Sequence, residues 1–459
     1  MTSLTRRNFL FGASFLSLSW ASGATRLAAQ ARKPNLVLGV LSDLHITDFD
    51  SCEVLRRTLA FFRDRDVDAV VIAGDLTDHG LLCQLENVAR SWYEVFPDDC
   101  GRGGRRIEKF FVYGNHDCEG LEYRDSDMDR NFAVHGLTRE EAARQELRSL
   151  GLGKCWEMCF HEPYAPICHK RIKGYDFIGA HWQDWCGQDG VEPWFAGHAG
   201  EIDASRPFFF VQHQHPFGTV FAQDIWCPDE GQSVRALAKF PNAVAFTGHS
   251  HYPLTDGRCY WQGEFTSIGT STLSYVCLPD GRTNKPDYRK NLDARQGQVV
   301  SVFHDRLEID RFDFVAMERL DESVVLPLPA HTDSFGVRAV SNRNKPFFPQ
   351  GAKAEVNQRG EAFEVRFPAA VANREARPFD YKVVLEGVMP DGVKVRRSFL
   401  FFHPDVAFSK SRCMAPRDLS FSMPARELNG FPSSFSVKAI ARNCYGGVGG
   451  NVAEGEYSR

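Results

Sequence analysis

From Asn35 onward, short unbroken apolar runs alternate with longer stretches whose apolar residues recur at helical spacing. Asn35-Leu-Val-Leu-Gly-Val-Leu-Ser42, Asp68-Ala-Val-Val-Ile-Ala73 and Lys109-Phe-Phe-Val-Tyr113 read as strands, and Cys52 to Arg65 and Leu81 to Phe96 read as the helices between them. A run that is apolar at every position suits a strand covered on both faces. Strands separated by helices predict βαβ units and a layered α/β domain. Further strands are expected at Tyr175–Ala180, Pro207–Gln212 and Ala243–Thr247, the last two leading straight into histidines, and at Gly297–Phe303 and Leu307–Phe312. Past Pro327-Leu-Pro-Ala330 the pattern changes. A polar, proline-containing stretch from Ser341 to Gly351 suits a link between domains. The runs Phe363–Phe367 and Tyr381–Leu385, with a Pro390-Asp391-Gly392 turn, predict an all-β region beyond it.

With 459 residues, 43% of them hydrophobic and 12% aromatic, the chain can bury a large core and has the length of two or more domains. Its net charge of −5 provides no basic surplus with which to hold a nucleic-acid backbone or an anionic membrane, so no nucleic-acid partner is expected. The first residues read as an address. Thr5-Arg6-Arg7-Asn8-Phe9-Leu10 leads into a modest apolar stretch, Phe11–Trp20, and on to Ala29-Gln30-Ala31. Paired arginines, a short apolar core and an Ala-x-Ala site resemble a twin-arginine export signal. That resemblance implies the twin-arginine translocase as a partner during export, a mature chain from about Arg32 and a periplasmic or secreted location; if retained, the same stretch would anchor the chain in a membrane. No later segment is long and apolar enough to span a bilayer. Thirteen cysteines are scattered rather than arrayed as a framework, and their odd number leaves at least one unpaired within the chain. Cys155 and Cys159 lack a second pair at zinc-site distance and read as buried thiols or a disulfide, while Cys413 could pair with Cys444.

The candidate chemistry lies where the strands end. Asp43-Leu44-His45, Gly74-Asp75, Gly114-Asn115-His116-Asp117, His213 and Gly248-His249-Ser250-His251 each follow an apolar run. Hydrolysing a phosphate ester requires charge neutralised on a non-bridging oxygen, a nucleophile made from water at neutral pH and a proton for the leaving alkoxide. Two metal ions about 3.5–4 Å apart supply the first two. Such a pair needs a bridging carboxylate and several imidazole, carboxylate or amide ligands on rigid supports, and these strand ends carry that set. Singly, each piece has a plainer reading: Asp43-x-His45 as a surface turn, Gly74-Asp75 as a strand-to-loop step, Asp78 as the N-cap of the next helix.

In this order the motifs resemble the calcineurin-like metallophosphoesterase superfamily over roughly Asn35 to Phe314. Ser42-Asp-Leu-His45 and Gly74-Asp-Leu-Thr-Asp-His-Gly80 look most like its bacterial phosphodiesterase branch. The resemblance implies a layered αββα-type domain holding two metal ions per chain, drawn from iron, manganese, zinc or cobalt. It implies Asp43, His45 and His251 on one metal, Asn115, His213 and His249 on the other, and Asp75 bridging them. A metal-bound hydroxide would be the nucleophile, His116 the acid or transition-state stabiliser facing the phosphate, and Asp117 the group that orients His116. Within Gln212-His213-Gln214-His215-Pro216 the ligand stays open between His213, which directly follows the apolar run, and His215. His79, His135, His161, His169, His181 and His198 read as surface or satisfied core histidines, with His181-Trp182 placed to line the cleft. The tail Phe435–Gly446 resembles the closing strand of fibronectin type III or immunoglobulin-like modules.

These expectations divide the chain into an export signal over 1–31, a metallophosphoesterase domain over 32–316, a link over 317–350 and a β-sandwich over 351–459. They make it an exported hydrolase of a small-molecule phosphodiester or phosphomonoester, with Glu119 to Arg171 supplying specificity loops. The competing class is a catalytically silent phosphoesterase fold acting as a binding or cell-surface module, against which the complete ligand set weighs.

Overall fold

The computed structural model describes residues 33–122, 128–183, 189–220, 228–279, 288–291, 293–330, 345–371, 377–413 and 417–458. The predicted export signal, 1–31, lies outside them. Strands β1 (Leu36–Leu41), β2 (Ala69–Ala73) and β3 (Glu108–Val112) run parallel, joined by helices α1 (Phe49–Asp64) and α2 (Leu82–Val95). Helix α1 starts where it does because Asp48 caps it, accepting from the Ser51 amide at 2.9 Å, and its apolar stripe Cys52, Leu55, Leu59 and Phe62 is buried. Five short helices follow: α3 (Asn115–Glu119), α4 (Met128–Val134), α5 (Arg139–Arg144), α6 (Leu147–Leu150) and α7 (Leu152–Phe160).

A second sheet then builds from β4 (Ile167–Ile172), β5 (Tyr175–Ala180), β6 (Phe208–Val211), β7 (Ala243–Thr247), β8 (Tyr260–Gln262) and β9 (Thr266–Gly269), in the order β4-β5-β6-β7-β9-β8. Its helices are α8 (Val191–His198) and α9 (Gln232–Leu237), and β5, β6, β7 and β9 are parallel. After the hairpin β10 (Val276–Pro279) and β11 (Tyr288–Asn291), strands β12 (Gln296–Val302) and β13 (Arg306–Asp313) return to the first sheet and pair antiparallel to β1 and to each other. The two sheets pack face to face through Leu38, Val40, Val71 and Val112 on one side and Phe177, Phe209, Val211 and Phe246 on the other. Helices α1, α2 and α7 cover the outer face of the first sheet, and α8 and α9 that of the second. The result is the layered αββα arrangement expected from doubly covered apolar strands.

The link predicted over 317–350 is corrected at its start. Strands β14 (Glu318–Arg319) and β15 (Val324–Pro327) both pair with β13, and Leu326 is buried in the intersheet core. The prolines at 327 and 329 disguised a short apolar strand as a breaker. Residues 331–344 lie outside the described residues.

Beyond them, β16 (Glu355–Arg359), β17 (Ala362–Pro368), β18 (Asp380–Val388), β19 (Lys394–Phe402), β20 (Asp418–Pro424), β21 (Ser434–Arg442) and β22 (Ala453–Ser458) form two antiparallel sheets, β16-β17-β20 and β19-β18-β21-β22. Alternate residues Phe363, Val365 and Phe367 face Tyr381, Val383, Leu385, Val437 and Ala439 across the core of this β-sandwich. Residues Asn35–Arg459 form one compact unit, and Phe379, Val406 and Ala407 of the C-terminal part pack into the core of the α/β part. Cys413 and Cys444 are both free thiols, as are Cys155 and Cys159. Among the described residues no helix is long and apolar enough to cross a membrane.

Candidate metal centre

Every predicted ligand leaves the carboxyl end of a parallel strand. Asp43 and His45 follow β1, Asp75 follows β2, Asn115 and His116 follow β3, His213 follows β6, and His249 and His251 follow β7. The loops are tied to one another by main chain: Asp43 N donates to Gly74 O at 2.9 Å and Leu44 N to Asp75 O at 2.8 Å. Amides also hold the carboxylates, with His249 N 3.0 Å from Asp43 Oδ1 and His116 N 2.9 Å from Asp75 Oδ1. Such close approach requires glycine beside the acids. A Cβ on Gly248 would stand 2.5 Å from Asp43 Oδ2, and one on Gly114 would overlap Asp75 Oδ1.

Among the described residues two groups of donor atoms share Asp75, and a third brings Asp78 and His116 to His45. Asp43, His45, Asp75 and His251 converge in one, and Asp75, His213 and His249 in the other. In the first, His251 Nε2 lies 3.0 Å from Asp43 Oδ1 and 3.1 Å from His45 Nε2. In the second, His213 Nε2 lies 3.1 Å from Asp75 Oδ2 and 3.2 Å from His249 Nδ1. Asp75 Oδ2 is also 3.6 Å from His45 Nε2, which makes it the shared oxygen.

The outward partners of these rings decide what the inward nitrogens carry. His251 Nδ1 donates to Tyr275 O at 2.8 Å, His213 Nδ1 to Ala73 O at 2.8 Å, and His45 Nδ1 to the Asp78 carboxylate at 2.9 Å. Carbonyl and carboxylate oxygens only accept, so the proton of each neutral ring is on Nδ1 and its Nε2 presents a lone pair inward. His45 and His251 then aim two lone pairs at each other beside an anionic Asp43. That arrangement is repulsive unless a cation lies between them. Two ligands about 2.0–2.2 Å from one small cation lie about 3.0–3.5 Å apart, the spacing seen here, so the residues fit a metal. The carboxylates favour positive charge here, as a proton where no metal is bound: burial works against charge at His213, yet Asp75 and Asp43 hold its imidazolium up to about 9, and Asp75, despite burial, is held well below the usual carboxylate range by His213 and His116.

Residues 36–253 match the model of the calcineurin-like phosphoesterase family. The chain carries a calcineurin-like phosphoesterase domain. Among solved structures it is similar to a dimetal phosphatase from Danio rerio, at 12% identity over 64% of this chain and 99% of that one, with a TM-score of 0.39. It is also similar to a purple acid phosphatase from yellow lupin seeds, at 13% identity over 64% of this chain and 55% of that one, with a TM-score of 0.40. No curated protein matches by sequence.

The phosphoesterase domain also answers the questions left by its motifs. His213, and not His215, stands among the donor atoms. His215 is buried with its Nδ1 2.7 Å from Thr247 Oγ1. Asn115 is buried at the start of α3, one residue before His116. The His116 ring packs edge-on to His45 at 4.5 Å between centroids, and its Nδ1 donates to Asp78 O at 2.7 Å. The expected contact from Asp117 is therefore corrected. Its carboxylate accepts from Leu76 N at 3.1 Å, Thr77 N at 2.8 Å, Thr77 Oγ1 at 2.7 Å and Gly114 N at 2.8 Å, so it clamps the Asp75 loop to the Gly114 loop instead of orienting His116.

Sequence reasoning missed Asp78. It is no helix cap, since α2 begins after Leu81. Its carboxylate holds His45 and lies 3.2 Å from His79 Nδ1. The spacing of three residues after Asp75 was its signal. Tyr275 was missed too, with its carbonyl on His251 and its ring 4.4 Å from that imidazole. Trp182 packs 5.8 Å from the His249 ring and 6.1 Å from the His213 ring, whereas His181 accepts from Tyr113 N within an aromatic pocket. His169 meets Asp176 and His198 stacks on Trp194, both away from the metal centre.

Proposed function

We propose that this chain is a metal-dependent hydrolase of a small-molecule phosphodiester or phosphomonoester, with the wording around Asp43 and Asp75 favouring the phosphodiesterase branch. The observation that carries the reading is the pair of inward-facing imidazole nitrogens in each donor group, joined by the shared Asp75 carboxylate. Asp43, His45 and His251 would hold one metal ion, Asn115, His213 and His249 the other, and Asp75 both. When bound, the two ions would neutralise charge on the phosphate and make water nucleophilic at neutral pH. His116 keeps a proton on Nδ1 through the Asp78 carbonyl, so a second proton, taken up as the ring becomes an imidazolium, sits on Nε2, from which it would pass to the departing oxygen. Trp182 excludes water from the His213 and His249 side. We take the segment before Arg32 as a twin-arginine signal and the protein as periplasmic or secreted, on the strength of Arg6-Arg7 and Ala29-Gln30-Ala31. The C-terminal sandwich is taken as a fibronectin- or immunoglobulin-like module.

The test compares bis-aryl and mono-aryl phosphate hydrolysis by wild type and His116→Ala, with metal content measured on the same samples. Wild type is expected to hold about two metals and turn over one ester class, and the variant to keep its metals while slowing by ~10²–10⁴-fold. Fully metallated wild type that hydrolyses neither ester would mark the chain as a silent binding module.

A further inference from the structure

Gln296, the first residue of β12, is a buried amide whose two ends reach different parts of the chain. Its Nε2 donates to Ala407 O at 2.6 Å, in the turn that follows β19 of the sandwich. Its Oε1 accepts from Leu254 N at 2.7 Å and Ser271 Oγ at 3.2 Å, and its own amide donates to Thr272 O at 2.8 Å. Leu254 lies three residues beyond His251.

The segment 271–277 lies against the first donor group. Thr272 Oγ1 donates to Asp43 O at 3.0 Å, Ser42 Oγ to Ser271 O at 2.8 Å, and Cys277 N to His251 O at 3.1 Å, while Tyr275 O fixes the His251 tautomer. Ser271 holds a left-handed backbone, φ 63°, to make these contacts. The sandwich turn is itself fastened to the α/β domain. Arg412 donates to Asp293 O at 2.7 Å and Asp313 Oδ2 at 3.0 Å, and Arg377 to Leu320 O at 2.8 Å and to both Asp321 oxygens at 3.1 Å. The second donor group draws its support elsewhere, from Ala73 O for His213 and from α3 for Asn115.

We infer that the C-terminal sandwich is a positioning element for the Asp43–His45–His251 metal position, acting through the Ala407–Gln296–Leu254/Ser271 hydrogen bonds; this rests on the metal-site reading above. Gln296 is a positioning residue, and the sandwich turn sets where its amide sits. A purely adhesive interface would be satisfied by apolar contact. Here a buried amide instead donates across the boundary to Ala407 while its acceptor oxygen holds Leu254 and Ser271 on its own side, which ties the geometry of one side to the other.

The test uses the full chain, stripped of metal and titrated with Mn²⁺ alone, with binding followed by calorimetry and amide protection by hydrogen exchange. Gln296→Leu keeps the volume and removes all three side-chain bonds. It is expected to weaken one of two binding steps by about tenfold, the low end for outer-shell support, and to leave the other within about twofold. Exchange at Leu254, Leu273 and Cys277 should rise with it. Arg377→Ala combined with Arg412→Ala loosens the turn without touching Gln296 and should weaken the same step; it also carries the test alone if Gln296→Leu does not fold. Two unchanged binding steps in folded variants whose residues 403–413 have lost protection would overturn the inference while leaving the metal site standing. Wild type that binds no Mn²⁺, or Asp75→Asn that keeps both steps, overturns the metal-site reading and this inference with it.

Discussion

Asp78→Ala separates the two services one residue performs. The carboxylate holds His45 Nδ1 at 2.9 Å, and the carbonyl, which the substitution keeps, holds His116 Nδ1 at 2.7 Å. Asp78 is ionised: burial opposes its charge, but the hydrogen bond from His45 brings it down to about 2. A hydrogen bond to a charged group is worth about 1.5–3 kcal/mol, and 1.4 kcal/mol is about tenfold in a binding constant. Without the carboxylate the His45 ring loses its fixed tautomer and direction, so metal affinity at the Asp43–His45–His251 position should fall about 10- to 100-fold, as removal of an outer-shell partner does. Turnover at saturating metal should recover to within about threefold, since His116 keeps its carbonyl. The assay is chelator competition for metal affinity beside kcat measured across metal concentration. Unchanged affinity in a folded variant would refute the tautomer argument. A rate that excess metal fails to restore would refute the division between carboxylate and carbonyl.

His213→Ala should retain about one metal per chain and His215→Ala about two, read by elemental analysis after gel filtration; equal loss from both would undo the assignment of the β6 loop. Asp117→Ala leaves three main-chain amides and the Thr77 hydroxyl without their acceptor. At about 1–3 kcal/mol for each buried group it should lose several kcal/mol in a denaturant titration, and a shift below about 1 kcal/mol would show that the clamp is not needed. His181 is buried in an aromatic pocket that pushes its imidazole down to about 3. The unfolded chain therefore binds a proton below about pH 6.5 that the folded chain refuses, and stability falls by about 1.4 kcal/mol per pH unit as pH drops from about 6.5 toward 3. His181→Gln should show a shallower decline of melting temperature than wild type between pH 6 and pH 4, and parallel curves would contradict the burial argument.

The strands that carry the site were legible because a doubly covered strand is written as an unbroken apolar run, and the ligand types at their ends have few other uses. What could not be read was direction. His116 and Asp117 are neighbours in sequence, but on a helix successive side chains diverge by about 100°, so adjacency argued for a contact the backbone forbids. Asp78 sits where a polar residue precedes an apolar-periodic stretch, which is also how a cap looks; the helix simply starts four residues later. Between His213 and His215 the motif spacing was silent because the choice depends on which way the chain turns after Val211. Tyr275, Thr272 and Gln296 belong to no motif. They reach the site through contacts more than 20 residues apart in sequence, and a single sequence carries no mark of such pairings.

The metal centre is strained where it is most exactingly shaped. Asp43, His45, Asp75, His249 and His251 all hold left-handed backbone, with φ between 45° and 69°, a conformation costing a non-glycine residue on the order of 1 kcal/mol or more. Five such residues in three loops would relax if the loops stood alone. They persist because each loop is bonded from several sides: Asp43 by the Gly74 carbonyl, the His249 amide and Thr272; Asp75 by His116; His251 by Tyr275 and Cys277. Three of those supports, Thr272, Tyr275 and Cys277, belong to the segment 271–277 that Gln296 connects to the sandwich. The strain of the first donor group is thus offset partly outside the parallel strands that present it. An α/β layer of this kind can set ligand types at its strand ends, but the precise aim of His251 and Asp43 depends on a segment whose own anchor lies more than a hundred residues further along the chain.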